Sequence, residues 1–450
     1  MSDKIQINST LIEKLMNLIE NKDSLKLTKI ISNIHVVDIA EIINNLTKEE
    51  AKYFYTLITK EEVSASVLIE LEDDIREKLL DDLSAKEIAE EVIENLETDD
   101  AADVIGEFSE KKKEEVLSHI ENTEHASDIS DLLNYEEDTA GGLMAKELIK
   151  VNQTWNTVQC LKEMRKQAHN IKNVYTIYVV DNDDKLLGLM SLRKLLLTER
   201  TTIVKDIMYT DIISVKATKE AESIANIMQK YDLIVLPVVD NIGKLLGRIT
   251  IDDVMDVFKE EAEKDYQMAS GISEDIESTD SIWNLTRARL PWLIIGMIGG
   301  LLGAKIIGIF DLKNNFELAF FIPLIAAMGG NVGVQSAAIV VQGLANESLK
   351  IENISYKLIK ELIIGLLNGI ICSGIILGAA FSLGYGIQLS LTVSISLLAV
   401  IVFAALFGTF IPLTLERYKI DPALATGPFI TTINDVLGLF IYFWIGQSIF

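Results

Sequence analysis

The sequence predicts a multidomain chain: an N-terminal all-alpha superhelical domain, tandem alpha/beta modules, a connecting plug helix and a five-helix alpha transmembrane domain. Three observations predict it. Up to about Leu133 apolar residues recur at helical spacing and proline is absent. A strand, turn, strand and helix pattern then occurs twice between residues 138 and 258. From Pro291 onward the chain is apolar enough for several membrane spans.

Charge divides the chain along the same lines. Against 41 Lys and Arg stand 67 Asp and Glu in 450 residues, a formal net charge of -26, and the acids concentrate before about residue 282. Such a field disfavours nucleic acid and anionic membrane surfaces and raises the local concentration of cations. The polar first residues begin no signal-peptide core, so the large N-terminal part is expected in the cytoplasm. Cys160 and Cys372 supply neither a disulfide framework nor a thiolate metal cage. His35, His119, His125 and His169 are scattered without a ligand spacing.

In the acidic helical domain, residues 1–137, Leu11, Leu15 and Leu18 start an apolar stripe that Val63, Val67 and Leu71 continue. The stretch Asp38 to Leu46 is echoed by Glu87 to Leu96, which suggests stacked helical units. Thr47 and Thr98 fit helix N-caps with acids in the turn that follows. Asp99 and Asp103 share a helix face, with Asp100 beside them. Capping and solubility account for these acids, and so does a divalent-ion site completed by another domain. Spacing does not choose.

The tandem modules, residues 138–258, place Val174–Val180 before Asp181–Asp184 and Lys185–Met190, then Leu233–Val239 before Asp240–Gly243 and Lys244–Ile249. Acids stand out at Glu220, Glu222, Asp232, Asp252, Asp253 and Asp256. Asp252 and Asp256 lie one turn apart and suit a ligand or partner, while Thr250 equally suits an N-cap with Asp252 and Asp253 as its acidic first turn.

Residues 259–282 form the connecting segment, helical from Asp256 to about Ile276, where Glu260, Glu261, Glu263, Asp265, Glu274 and Asp275 make a poor core helix. It reads as a lever or cover at a pore entrance, or as a plain connector. Acidic faces repel until cations screen or bridge them, which gives the acidity a sensing role.

In residues 283–450 the expected spans are Pro291 to Phe310, Leu318 to Val341, Leu358 to Leu383, Leu389 to Leu413 and Pro422 to Tyr442. Arg287, Arg289, Lys350, Lys357, Lys360, Arg417 and Lys419 fall on one side; Asp311, Lys313 and Glu317 fall on the other. This predicts a cytoplasmic N-terminus and an external C-terminus of a multi-pass protein in the cell membrane. Glycines at 296, 299, 300 and 303, and at 365, 369, 374 and 378, permit close helix approach. Pro323, Pro412, Pro422 and Pro428 are candidates to bend or break spans, and the run Gly329 to Gln335 to supply a tight bend plus amide oxygens. Asp435, deep in the last span with Thr431, Thr432 and Asn434 nearby, is the clearest functional residue. A carboxylate there is costly against lipid and belongs in a bundle interior or a water-filled path. An oxygen-rich lining without Cys or His suits a hydrated hard cation such as Mg2+, which two Asp435 carboxylates of a symmetric dimer could hold through its water.

Residues 138 to 258, with the Leu-Leu-Gly turns after each strand and the entry segments Met144–Val151 and Met208–Val215, resemble the CBS domain family. That resemblance implies a regulatory module and brings ATP as a ligand, with no residues assigned. Phe321-Ile-Pro through Gly329–Gln335, Asp421-Pro-Ala through Gly427-Pro428, and Asn434-Asp435 resemble the MgtE magnesium transporter/channel family, as does the domain order. The resemblance implies a homodimer with a central Mg2+ path and a cytoplasmic Mg2+-sensing gate. Asp435 becomes the pore carboxylate; Asp99, Asp103, Glu222, Asp232, Asp253, Glu261 and Asp265 become the sensing set. High internal Mg2+ would favour closure. Val334 stands where the signature commonly has a hydroxyl residue, Gln342 where it commonly has arginine, and Lys264 interrupts the acidic match.

The function expected is passive, gated Mg2+ uptake without bond chemistry. A membrane-anchored CBS nucleotide receptor and an alternating-access divalent-cation carrier are the rival readings. No nucleophile and base are paired, so no catalytic residue is named.

Overall fold

The computed structural model describes residues 15–19, 21–168, 171, 173–273, 276, 280–310, 316–345, 354–425 and 427–449. Leu11, His169, Glu274, Asp275, Asp311, Lys313 and Lys350 lie outside them. The chain divides into two compact units, one ending at Phe258 and one beginning at Lys259.

The first unit opens with helices α1 (Ser24–Ile31), α2 (Val36–Asn44), α3 (Lys48–Tyr55), α4 (Glu61–Ile69) and α5 (Asp73–Leu80). Then come α6 (Ala85–Glu87), α7 (Thr98–Gly106), α8 (Glu110–His119) and α9 (Thr123–Leu132). Helices two apart in sequence touch: α2 with α4, α3 with α5, α6 with α8, α7 with α9. This is how short amphipathic helices bury one face each against a stack.

The internal echo has a structural signature. The second copy holds one residue more than the first, and there α6 opens into a π turn at Ile88–Val92. An i to i+5 turn absorbs one added residue. Ile39, Ala40, Ile42 and Ile43 are buried in the first copy, and Ile88, Ala89, Val92 and Ile93 in the second. The extra residue falls between the two buried pairs, and both copies keep the same apolar face.

Thr47 starts α3 as expected, its N–H donating to Glu50 at 3.0 Å. Thr98 does not cap α7. Glu97 occupies the N-cap, and Thr98, one residue inside, donates its N–H and hydroxyl to Glu147 at 3.1 and 2.8 Å. The expectation placed the cap one residue late because the cap carboxylate comes from a distant segment.

The paired modules are two three-stranded sheets of one topology. In the first, β1 (Ile149–Asn152) runs parallel to β2 (Ile177–Val180), which is antiparallel to β3 (Leu186–Met190). In the second, β4 (Val215–Lys216) runs parallel to β5 (Val235–Val239), which is antiparallel to β6 (Leu245–Thr250). Helices α10 (Thr157–Gln167), α11 (Leu192–Leu197) and α12 (Ala221–Lys230) complete them. The hairpin turns are alike: Asp181 accepts from the N–H of Asp183 and Lys185, and Asp240 from those of Ile242 and Lys244. Asp184 and Gly243 take the same left-handed position, φ +61° and +89°. One apolar core runs without a break from Ala65 through Val104 and Met144 to Val257, so the second half of the helical domain and the second module fold as one body.

Helix α13 (Ile251–Ala269) starts in the second module and ends at a turn with Gly271 at φ +80°. It stops seven residues before the expected Ile276, because Gly271 takes the left-handed conformation that ends helices.

Among its described residues the second unit has five helices long and apolar enough to cross a membrane: α14 (Ile282–Ile309), α15 (Ile322–Ala345), α16 (Ile354–Ser382), α17 (Ile387–Arg417) and α18 (Gly427–Ile449). The first begins nine residues before Pro291, which lies inside it. The last begins at Gly427 rather than Pro422, after a 3-10 turn at Pro422–Ala425. Pro323 and Pro428 are second residues of their helices, where no intrahelical N–H is lost. Helix α17 is the most enclosed and packs on α15, α16 and α18.

Candidate functional site

The run Gly329 to Gln335 makes no bend. It lies inside the continuous helix α15, and its glycines serve packing. A Cβ on Gly333 would collide with the side chain of Asn434, and one on Gly408 with the Gly333 carbonyl. Three helices therefore meet at backbone distance. Of the other glycines, Gly299, Gly303, Gly365 and Gly369 face neighbours, whereas Gly296, Gly300, Gly374 and Gly378 meet nothing within 4 Å.

This packing aims one helical face of α15 and one of α18 at a common cleft of about 320 Å3, lined by Ala326, Ala327, Gly330, Asn331, Val334, Gln335, Thr431 and Asp435. The pairs 331/335 and 431/435 are each one turn apart and so lie on one face. The oxygen set expected from sequence separates accordingly. Thr431 and Asp435 line the cleft. Thr432 turns its methyl toward Gly299. Asn434 is buried among helices, its Nδ2 donating to the Gly329 carbonyl at 3.4 Å and its Oδ1 without a partner.

A second group of acids lies in the same unit, at the start of the last span. Burial, Asp421 and Glu261 raise Asp265 above the usual carboxylate range, and Lys264 works against them. Glu261 holds Lys264 at 3.3 Å. Asp421 accepts the Ala423 N–H at 2.8 Å and so caps the 3-10 turn. The backbone joins this corner to α18: a Cβ on Gly271 would strike the Pro428 ring, and one on Gly427, at φ +48°, the Ala269 carbonyl. Asp421 was not among the residues singled out as ligands; its place before a proline reads as a loop.

In the first unit the acids gather around α7. Loss of hydration, then Asp100 and Asp253, push Asp99 well above its ordinary value. Loss of hydration and the charges of Asp100, Glu137 and Asp253 raise Asp103 to about 7 although its side chain keeps solvent access. Asp253 is raised by burial while Thr250 donates its N–H and hydroxyl to it at 3.0 and 2.7 Å. The capping role for Thr250 and Asp253 is thus realised within the acidic group. Glu222, in the first turn of α12, and Asp232, just past its end, are exposed. Among the described residues no three His, Cys, Asp or Glu side chains converge closely enough to hold a metal ion by themselves.

A narrow cleft in the first unit is lined by Glu147, Leu148, Ile149, Ile171, Asn173, Val174, Tyr175, Thr176, Tyr178 and Arg248. Arg248 is 3% exposed, pairs with Glu97 at 2.8 Å and lies 5.4 Å from the Tyr175 ring centre. Its Nε and the Tyr178 hydroxyl are buried without a partner among the described residues. Buried donors of this kind suit a polar ligand. Nothing in the sequence marked Arg248, since a basic residue in a strand reads as surface.

Comparisons with known proteins agree over most of the chain. Residues 322–445 match the model "MgtE: Divalent cation transporter", residues 34–138 the MgtE intracellular N domain, and residues 140–198 and 204–260 the CBS domain. The magnesium transporter MgtE of Bacillus subtilis is 32% identical over 78% of this chain and 78% of its own. That of Thermus thermophilus is 35% identical over 70% of this chain and 71% of its own. Among solved structures, the cytosolic domain of the Mg2+ channel MgtE in complex with ATP superposes with a TM-score of 0.51 at 30% identity, covering 55% of this chain and 99% of that one.

Proposed function

Since this chain belongs to the MgtE family, we propose that it is a gated Mg2+ channel for passive Mg2+ uptake, in which hydrated Mg2+ passes Asp435. The observation that carries the reading is the convergence of Asp435, Thr431, Asn331 and Gln335 on one cleft inside an apolar bundle. Mg2+ dehydrates reluctantly, so carboxylate and amide oxygens that hold its water suit it better than a closed cage. A homodimer would set two such clefts about one axis. Arg287, Arg289, Lys357, Lys360, Arg417 and Lys419 would mark the cytoplasmic side, with the C-terminus outside.

The gate would be closed by cytosolic Mg2+ at two acidic groups: Asp99, Asp103 and Asp253 around α7, and Glu261 and Asp265 with Asp421 beside the last span. Like charges crowded together cost free energy that a divalent ion removes. Glu222 and Asp232 would contribute from the exposed end of the second module. ATP would bind the narrow cleft, with Arg248 and Tyr178 as its donors.

Ion-specific flux into liposomes holding the purified protein tests this reading, with Mg2+ varied separately on each side. Loss of Mg2+ flux in Asp435→Ala, weakened selectivity in Asp435→Asn and inhibition from the cytosolic face are expected. Absence of Mg2+ flux through folded dimers would overturn it.

A further inference from the structure

The membrane unit holds a second carboxyl group that the permeation path does not use. Glu361, half-buried in the second turn of α16, accepts a hydrogen bond from the Ser336 hydroxyl of α15 at 2.6 Å, and Ser336 is 5% exposed. Ser336 directly follows Gln335, which lines the Asp435 cleft. Successive helical residues point about 100° apart, so fixing the direction of Ser336 fixes that of Gln335. A rotation of α15 by roughly 20° would carry a side-chain atom ~5 Å from the axis through ~2 Å. Apart from the long Asn434–Gly329 hydrogen bond, helix α15 packs along α17 and α18 largely through apolar and small residues, which set distance better than rotation.

We propose that Glu361 is a positioning residue for ion selection: through Ser336 it holds α15 at the rotation that turns Gln335 and Asn331 toward Asp435. This rests on the reading of the cleft as the Mg2+ path. It concerns a hydrogen bond across α15 and α16, not an ion held at Glu361. An acceptor oxygen at the same place therefore suffices.

Two readouts test it on the full chain in liposomes. The first is the ratio of Mg2+ to Ca2+ flux. Ser336→Ala and Glu361→Ala should each lower it about tenfold, the range expected for one hydrogen bond to a charged group. The double variant should go no lower, and Glu361→Gln should stay near the parent. The second readout needs no ion path: the rate at which a small cationic thiol reagent modifies Gln335→Cys in a chain with Cys160 and Cys372 replaced by alanine. Ser336→Ala should slow it several-fold. Ser336→Ala removes one atom and guards against misfolding of the Glu361 variants. Parent-like selectivity and thiol reactivity in Ser336→Ala would overturn the proposal. So would Glu361→Gln as impaired as Glu361→Ala beside a normal Ser336→Ala. If Asp435→Ala leaves Mg2+ flux intact, the reading of the path fails by itself, and the thiol rate still decides on the pair.

Discussion

Gly330 faces Asp435 across the membrane cleft so closely that a methyl group at 330 would lie 3.8 Å from a carboxylate oxygen and 3.1 Å from the Thr431 methyl. Gly330→Ala needs a shift of a few tenths of an ångström and should fold. On the proposed path the methyl would occupy space for the ion's water, and loss of one hydrogen bond in that shell should lower Mg2+ flux by roughly three- to tenfold. Liposome flux at equal protein incorporation checks this.

The acidic group around α7 makes stability depend on pH. Asp103, raised to about 7, and Asp99, raised well above its ordinary value, bind protons in the folded chain that the unfolded chain has released. The contribution of these two acids to stability without Mg2+ is therefore fully present below the unfolded carboxylate range and is lost as pH rises through about 7. Thermal unfolding of the purified chain in detergent should show a lower midpoint at pH 8 than at pH 6. Saturating Mg2+ should flatten the difference, and Asp103→Asn should flatten it without Mg2+.

Arg248→Met should remove both the pairing with Glu97 and the guanidinium donor of the narrow cleft. Breaking an ion pair whose guanidinium is buried costs about 3–5 kcal/mol. Titration calorimetry should then register no ATP binding, while Lys244→Met, on the exposed hairpin, retains it.

Glycines in the spans divide into two classes that the same substitution separates. Gly333→Ala and Gly408→Ala would drive a methyl into neighbouring helices and should cost about 1–3 kcal/mol or abolish the fold. Gly300→Ala and Gly374→Ala meet open space and should be neutral or slightly stabilising. Detergent-solubilised yield and unfolding midpoints distinguish them.

The five spans, and the place of Asp435 on a cleft among them, were legible because hydropathy over twenty residues, and a carboxylate within it, are signals that local context cannot imitate. The glycine run was misread because a glycine that lets two helices touch and one that turns the chain look the same in one dimension. Lys357 and Lys360 read as loop charges, which hid Glu361. The helix starts at Ile354, and all three residues lie in its first turns. Asp421, Arg248 and Glu147 act through partners far away in sequence, and no spacing rule reaches them. The raised acids of α7 belong to the same class, since Asp253 and Glu137 add to the crowding that Asp100 of their own helix begins.

The π turn at Ile88–Val92 bears on how a duplicated unit comes to do two jobs. It leaves the apolar face of the second copy in phase with the first, so the stack accepts both copies alike. Beyond it Glu97 stands where the first copy has Thr47, and Asp99 and Asp100 stand where the first has Glu49 and Glu50. In the first copy Glu50 closes the cap of its own helix. In the second, Glu147 reaches in from the neighbouring module to do so. Two copies of one helical unit have thereby diverged into a scaffold and a bearer of crowded acids, the second relieved of capping by a carboxylate 49 residues downstream.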